Sequence, residues 1–471
     1  VPQPERGTGK VRILHFFNPS PHPRRETVSA TVWDWPGDRK RIEIVDEAGK
    51  IVPFQVEPGS DFAFFGKGHY WGHEYFTLSL AGDLPPFGYA TYVLRESGIP
   101  GPDPKIREPR VEVLDPTVLE NEVLRADFDP VTAGLRSLVD KRTGRELLRP
   151  GAAAGFRLID EDDARGMTAW VIGRYMAIEP VADKVRMKPV QGEPGALRQV
   201  LEWTARFRGS SLKVAASLAA GSDRLEFNVT CDFRETAVVG QSIPQLNFHA
   251  PLGYGCRSYR YDIPFGLIDR EPVDMDVPGN SFILGVPGEA GSPALGLVAA
   301  TKYGFRGVED GIALTLIRSS HDPDPTPEFG EHRFRFALMA VANPDDRVGL
   351  LRTAHDFCHP ALPVPGSRHA GTRPGSGSFL SVEGGVFLSA VKLPEGDVSG
   401  LGWIVRLYGI EGKDTTALLR FSRPVRSVKP TDLLERPLAA SEAAGIRIAG
   451  DRVECPVGAF SVLTLRVEFG E

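Results

Sequence analysis

Apolar and polar residues alternate at period two along most of this chain. Leu225, Phe227, Val229, Cys231 and Phe233 fall on every second position between polar neighbours. Ile312, Leu314 and Leu316 repeat the pattern, as do Phe334, Phe336 and Leu338. Period two puts one face of a strand in a core and the other in water, as in an antiparallel sheet. In the first hundred residues Val28, Ala30 and Val32 alternate, then Ile42 and Ile44, and a turn at 46–50 precedes Ile51 and Val52. Residues 89–94 read as a closing strand. Residues 386–391, 403–408, 418–421 and 460–467 predict the strands of a last small sandwich.

Two stretches break this pattern. Residues 98–104 are rich in Gly and Pro, and residues 369–377 combine Gly, Ser and Pro. Neither can extend a sheet, so both read as linkers. They divide the chain into three segments, about 1–100, 110–365 and 376–471. One helix is predicted. Asn343 suits its cap, Pro344 its first position, and Asp345 and Asp346 the positive helix end. Val348, Leu351, Ala354 and Phe357 then form one apolar stripe. Strands and helices nowhere alternate over a long run, which excludes an α/β barrel within these residues.

Composition narrows the function. Apolar residues make up 41% and charged residues 25% of 471, and the net charge is −6. No basic block stands out, so nucleic acid is not an expected partner. No stretch approaches the roughly 20 apolar residues of a membrane helix. Fifty-one Gly and 40 Pro, scattered without a period, fit many short strands joined by turns. Cys231, Cys256, Cys358 and Cys455 lie far apart and form no CxxC pair. They read as buried thiols, which suits a cytoplasmic protein; the expected location is a bacterial cytoplasm. The chain begins at Val1, so its amino end is expected to be a cut end.

Several blocks in order carry a family resemblance. Leu119-Glu120-Asn121-Glu122-Val123-Leu124-Arg125 leads to Asp129-Pro130, Gly134-Leu135-Arg136-Ser137-Leu138 and a turn at 140–146. Asp262-Ile263-Pro264-Phe265-Gly266 and Lys302-Tyr303-Gly304 follow. Then come Leu314-Thr315-Leu316-Ile317-Arg318-Ser319, Asp322-Pro323-Asp324-Pro325 and Gly330-Glu331-His332. Phe17-Asn18-Pro19 near the start and Leu433-Leu434-Glu435 near the end extend the series. Together they resemble the carboxyl-terminal half of family 38 glycoside hydrolases, the α-mannosidases. Departures at Ala299-Ala300-Thr301, 278–282 and 457–461 mark a divergent subfamily.

The resemblance implies an all-β fold: a large supersandwich, similar to the galactose mutarotase-like fold, flanked by two small β-sandwiches. It implies a retaining glycosidase whose zinc and carboxylates sit in an amino-terminal barrel. None of the ten histidines has Asp two residues later, so no zinc-binding His-x-Asp pair is present. No cofactor is expected in these residues, and zinc is expected in an N-terminal catalytic domain outside them. That domain, of the same polypeptide, and a mannoside or related glycoside are the expected partners, with a homo-oligomer also allowed. The alternative is a free-standing carbohydrate-binding or structural module without hydrolase activity.

Candidate chemistry within the chain is limited. The stiff acidic loop at 321–332 suits either a sugar rim or a docking element. The resemblance turns this strand and loop toward the catalytic domain. Arg318, Asp324, Glu331 and His332 are therefore the candidate substrate-binding residues; a guanidinium fork suits hydroxyls and carboxylates. His355-Asp356-Phe357-Cys358-His359 has metal-like spacing but reads more simply as a helix end. His69-Tyr70-Trp71-Gly72-His73 could stack on a sugar or pack on the first sandwich. His249 with Tyr261 raises a third reading, a sugar-active enzyme in its own right, against a buried structural histidine.

Overall fold

The computed structural model describes residues 10–57, 67–70, 73–97, 116–192, 195–366, 371–397, 400, 402–439 and 445–470. These residues build an all-β protein with three hydrophobic cores and one described α-helix. The linker reading at 98–104 falls outside the described residues, as do Trp71 and Gly72.

The first core lies between two sheets. In one, Val11–Asn18 sits between Gly88–Glu96 and Leu362–Gly366. In the other, His73–Leu84 carries Arg24–Trp33, Phe54–Val56 and Lys67–Tyr70. Leu14, Phe16, Val28, Val32, Phe76, Leu78 and Leu80 meet between them. The strand Leu362–Gly366 thus returns from the middle of the chain to pair with the first sheet, and it crosses the segment boundary read at 365.

The large core is a supersandwich of a six-stranded and a nine-stranded antiparallel sheet. The six-stranded sheet runs Tyr175–Pro180, Gly155–Glu161, Ile243–Pro251, Gly311–Arg318, Gly304–Val308, Val277–Pro278. At the centre of the nine-stranded sheet, Arg224–Phe233 pairs with Ser210–Ala219 and Gly330–Val341. Leu225, Phe227, Val229, Cys231 and Phe233 are all buried, as their alternation predicts. Phe227 stacks on Phe336 at 4.9 Å, and Phe248 reaches across from the six-stranded sheet to 4.8 Å from Phe336. Such ring pairs add about 0.5–1.5 kcal/mol each beyond their buried area. The third core lies between two four-stranded sheets and includes Leu380, Val405, Leu407, Leu419, Val453 and Leu465.

Helix α1 spans Arg347–Cys358 and buries Val348, Leu350, Leu351, Ala354 and Phe357. Its cap is Asp346, not Asn343. The Asp346 carboxylate accepts the Gly349 N–H at 2.9 Å, while Asn343 Oδ1 accepts from Asp345 N in the preceding turn. The local side-chain bond at 343 favours a turn over a helical start, so the helix begins later.

The His355–His359 run ties α1 to the first sandwich. Asp356 accepts from Ser20 Oγ at 2.5 Å and lies 2.9 Å from His22 Nε2. Arg24 donates to the carbonyls of His359 and Asp356. His355 and His359 stack at 4.2 Å. Among the described residues, no three His, Cys, Asp or Glu side chains gather as metal ligands.

Candidate functional site: a loop-built apolar face

Three chain crossings meet at one end of the supersandwich. The register sets Glu161 beside Ile243 and Gln245 beside Arg318. The end of one strand, the start of the next and the end of a third are therefore level. On the nine-stranded sheet, Phe233 lies beside Gly330. Residues 162–174, 234–242 and 319–329 are the connections that leave from this end.

A polar face of the six-stranded sheet underlies them. Strand alternation sends Leu246 and Phe248 into the core and Gln245, Asn247 and His249 to the other face. Asp276 accepts from Tyr175 Oη at 2.9 Å, Gln245 Nε2 at 3.2 Å, Arg306 Nε at 3.0 Å and Thr315 Oγ1 at 2.6 Å. The Arg306 guanidinium lies 3.5 Å from the Tyr175 ring centroid. Four donors on one carboxylate satisfy the charge that burial would otherwise penalise. Burial, with Asp276 adding to it, holds the Tyr175 phenol protonated. Burial lowers Arg157 to about 10.

The loops are fastened from beneath. Arg318 donates from Nε and Nη2 to both oxygens of Glu161, at 2.9 and 2.5 Å. Its Nη1 donates to the Thr168 carbonyl and its Nη2 also to Val171. The Glu161 side chain is fully buried, and its Oε1 also accepts the Gly173 N–H. Thr168 Oγ1 accepts the N–H groups of His321 and Asp322, and Ala169 N–H donates to Asp322 O. Asp163 Oδ2 accepts the Gly240 N–H at 2.6 Å and lies 3.2 Å from His321 Nε2. Asp163, Thr168 and His321 thus link all three loops.

On this frame sit large apolar side chains facing water. Met167 is 59% exposed, Trp170 66% and Val239 73%, with Val238 beside it. Phe329, half exposed, lies under the Arg234 guanidinium at 4.8 Å. The hydrogen-bonded loops thus hold these apolar groups outward instead of burying them in a core.

The predicted site residues fall differently from one another. Arg318 turns its fork into the protein's own loops. Asp324 is exposed and accepts the Thr326 N–H within its own turn. Glu331 pairs with Arg333 at the surface. His332 bonds the Glu328 carbonyl at 2.7 Å and sets its ring edge-on to Phe233. Their bonds do not join Arg318 to the other three. Glu161, Asp163, Thr168, Met167, Trp170 and Val239 were not legible as a group. The only hint was two large apolar residues, Met167 and Trp170, isolated in a polar aperiodic stretch. His249 lies on the outer face of the six-stranded sheet, and burial lowers it to about 3, with Arg157 and Arg149 adding to the effect. Tyr261 belongs to the core on the nine-stranded sheet, so the two do not form a site.

The fold is an all-β supersandwich flanked by two smaller sandwiches. Residues 119–326 match the Glycosyl hydrolases family 38 C-terminal domain. Residues 385–465 match the Glycosyl hydrolases family 38 C-terminal beta sandwich domain. The two matches together take in more than half of the chain, which belongs to the C-terminal region of glycoside hydrolase family 38.

Human alpha-mannosidase 2C1 is similar at 26% identity over 410 residues, covering 81% of this chain and 36% of the relative. Alpha-mannosidase G of Dictyostelium discoideum is 24% identical over 43% of this chain. A family 38 protein of solved structure from Enterococcus faecalis superposes with a TM-score of 0.73 at 16% identity, covering 98% of this chain and 58% of that one. The chain spans about a third of the human relative's length.

Proposed function

We propose that this chain is the non-catalytic C-terminal portion of an α-mannosidase-like glycoside hydrolase. Its loop face, in this reading, packs on an N-terminal catalytic domain of the same polypeptide and completes that domain's active site. The observation that carries it is the exposed set Met167, Trp170, Val238 and Val239, held outward by Arg318, Thr168 and Asp163. The match takes in only about a third of the human relative, and in this reading a domain like the unmatched part would occupy such a face.

The zinc and the retaining carboxylates would belong to that domain. The substrate would be a mannoside or a related glycoside. Asp324 of the loop and Glu331 at the start of the following strand, both exposed, would contact it in this reading. Four free thiols fit a reducing, cytoplasmic compartment. Burial raises all four, Cys358 to about 11 and the others to about 12, so they stay protonated.

The test is reconstitution. This chain is mixed with the separately expressed N-terminal segment of its own gene, and complex formation and aryl α-mannoside hydrolysis are measured. A stable complex with zinc-dependent turnover, weakened by Trp170→Asp with Val239→Asp, supports the proposal. Tight mannoside binding by this chain with no N-terminal segment encoded would overturn it in favour of a free-standing module.

A further inference from the structure

We propose that the cleft between the first sandwich and the supersandwich binds a phosphorylated monosaccharide through its phosphate. The cleft has a volume of about 330 Å³. Its walls come from the strand Arg24–Trp33, the hairpin joining Ser210–Ala219 to Arg224–Phe233, and the end of α1. Arg24, Arg25, Arg142, Arg198 and Arg224 line it from four separate parts of the chain.

Two of these guanidiniums are incompletely used. Arg24 is buried and pairs through Nη2 with Glu26 at 2.7 Å, but its Nε stands 3.8 Å from Asp356 with no hydrogen bond. Arg224 Nε is in the same position. The carboxylates nearest Arg224, Glu26 and Glu226, stand off at 3.8 and 4.0 Å, and its one bond is to the Thr353 carbonyl at 3.3 Å. Asp356 also lines the cleft but already accepts from Ser20 and His22. A buried N–H donor without an acceptor costs about 1–3 kcal/mol, and an oxyanion is the acceptor that relieves several at once.

Phosphate fits better than a carboxylate. The guanidiniums approach from different elements, and a phosphate presents oxygens in several directions, whereas a carboxylate presents a planar pair. The volume exceeds what the phosphate alone fills and leaves room for a sugar ring. The acidic groups Glu26, Asp223 and Glu226 on the wall can accept from sugar hydroxyls.

The cleft is remote from the loop face. The strand Arg224–Phe233 starts at the cleft and ends beside Gly330, and its nine steps span roughly 30 Å. A ligand there would join Arg24 of the first sandwich to Arg224 of the second, and so would stiffen their junction.

Titration calorimetry of this chain with mannose 6-phosphate, inorganic phosphate and mannose tests it. Expected is one-to-one binding of the sugar phosphate, with a Kd of about 1 mM or tighter. Affinity should fall about tenfold or more in Arg25→Glu, whose side chain is 84% exposed and does not support the fold. Arg224→Lys keeps the charge but removes the Nε donor, and should weaken binding too. Equal binding of inorganic phosphate and sugar phosphate would overturn the sugar assignment. No binding, or binding unchanged in both variants with their folds intact, would overturn the site.

Discussion

Arg318 closes a two-pronged ion pair on Glu161, 157 residues earlier, and each partner also holds loop backbone. The pair fastens the 162–174 loop to the ends of two strands of the six-stranded sheet. Removing one member leaves a buried charge without its partner. Arg318→Ala or Glu161→Ala should each lower stability by about 3–5 kcal/mol. Calorimetric melting would show it, and proteolysis would begin within 162–174. If Arg318 instead serves only substrate, Arg318→Ala melts like the parent.

His22 and Asp356 give the junction of α1 with the first sandwich an acid limit. Burial alone would raise Asp356. The hydrogen bond from His22, with His355 and Arg24 nearby, outweighs burial and holds it well below the usual carboxylate range. Because the folded value is depressed, the stabilisation is present above the unfolded value, near 4, and is lost as pH falls below it. Asp356→Asn should destabilise the chain at pH 7 yet lose less stability than the parent between pH 4 and pH 2. Chemical denaturation across that range measures it. Parallel pH profiles would remove Asp356 from the account.

His249 acts in a higher window. Its folded value, about 3, lies below an ordinary histidine's. The unfolded chain therefore binds a proton that the native chain refuses, and stability declines as pH falls from about 6.5 toward 3. The imidazole C2 proton of His249 should not shift between pH 8 and pH 5 in nuclear magnetic resonance. A midpoint near 6.5 would mean that the ring is solvated, contrary to its position beside Gly155 and Ala313.

Much of the fold was legible because period two survives wherever one face is wet. The alternation at 225–233 predicted its strand and its buried face. The turn at 140–145 followed from its residues, and there Arg142 forks onto Asp140. Phe282–Pro287 and Ala294–Ala299 gave no alternation, since every residue of both is buried. Leu362–Gly366 gave no sign that its partner was Val11–Asn18, because pairing across more than 340 residues leaves no local pattern. The loop face failed for a similar reason. Arg318 stood out by residue type, but the Glu161 that consumes its fork could not be paired with it from sequence. Residue type alone therefore favours conspicuous charges over the apolar Met167 and Trp170.

The α1 cap shows how a local signal can be placed three residues early. Asn343, Asp345 and Asp346 all suit a cap by type, and only the geometry selects Asp346 through its bond to the Gly349 N–H. Asp346→Ala should cost about 1 kcal/mol, because one helix donor loses its acceptor. Asn343→Ala should cost less, because its bond closes an exposed turn. Melting temperatures of the two variants, read against the parent, decide the order. The reverse order would place the helix start at 343.

Trp170 and Val239 leave most of their apolar surface in water. Trp170→Asp with Val239→Asp should leave the stability of this chain within about 0.5 kcal/mol of the parent, as for surface positions elsewhere. The same double variant should lower binding of a hydrophobic fluorescent dye and any tendency to self-associate. A large loss of stability would show that Trp170 packs against its own loop frame. The face would then be part of the sandwich core and not a surface kept for a partner.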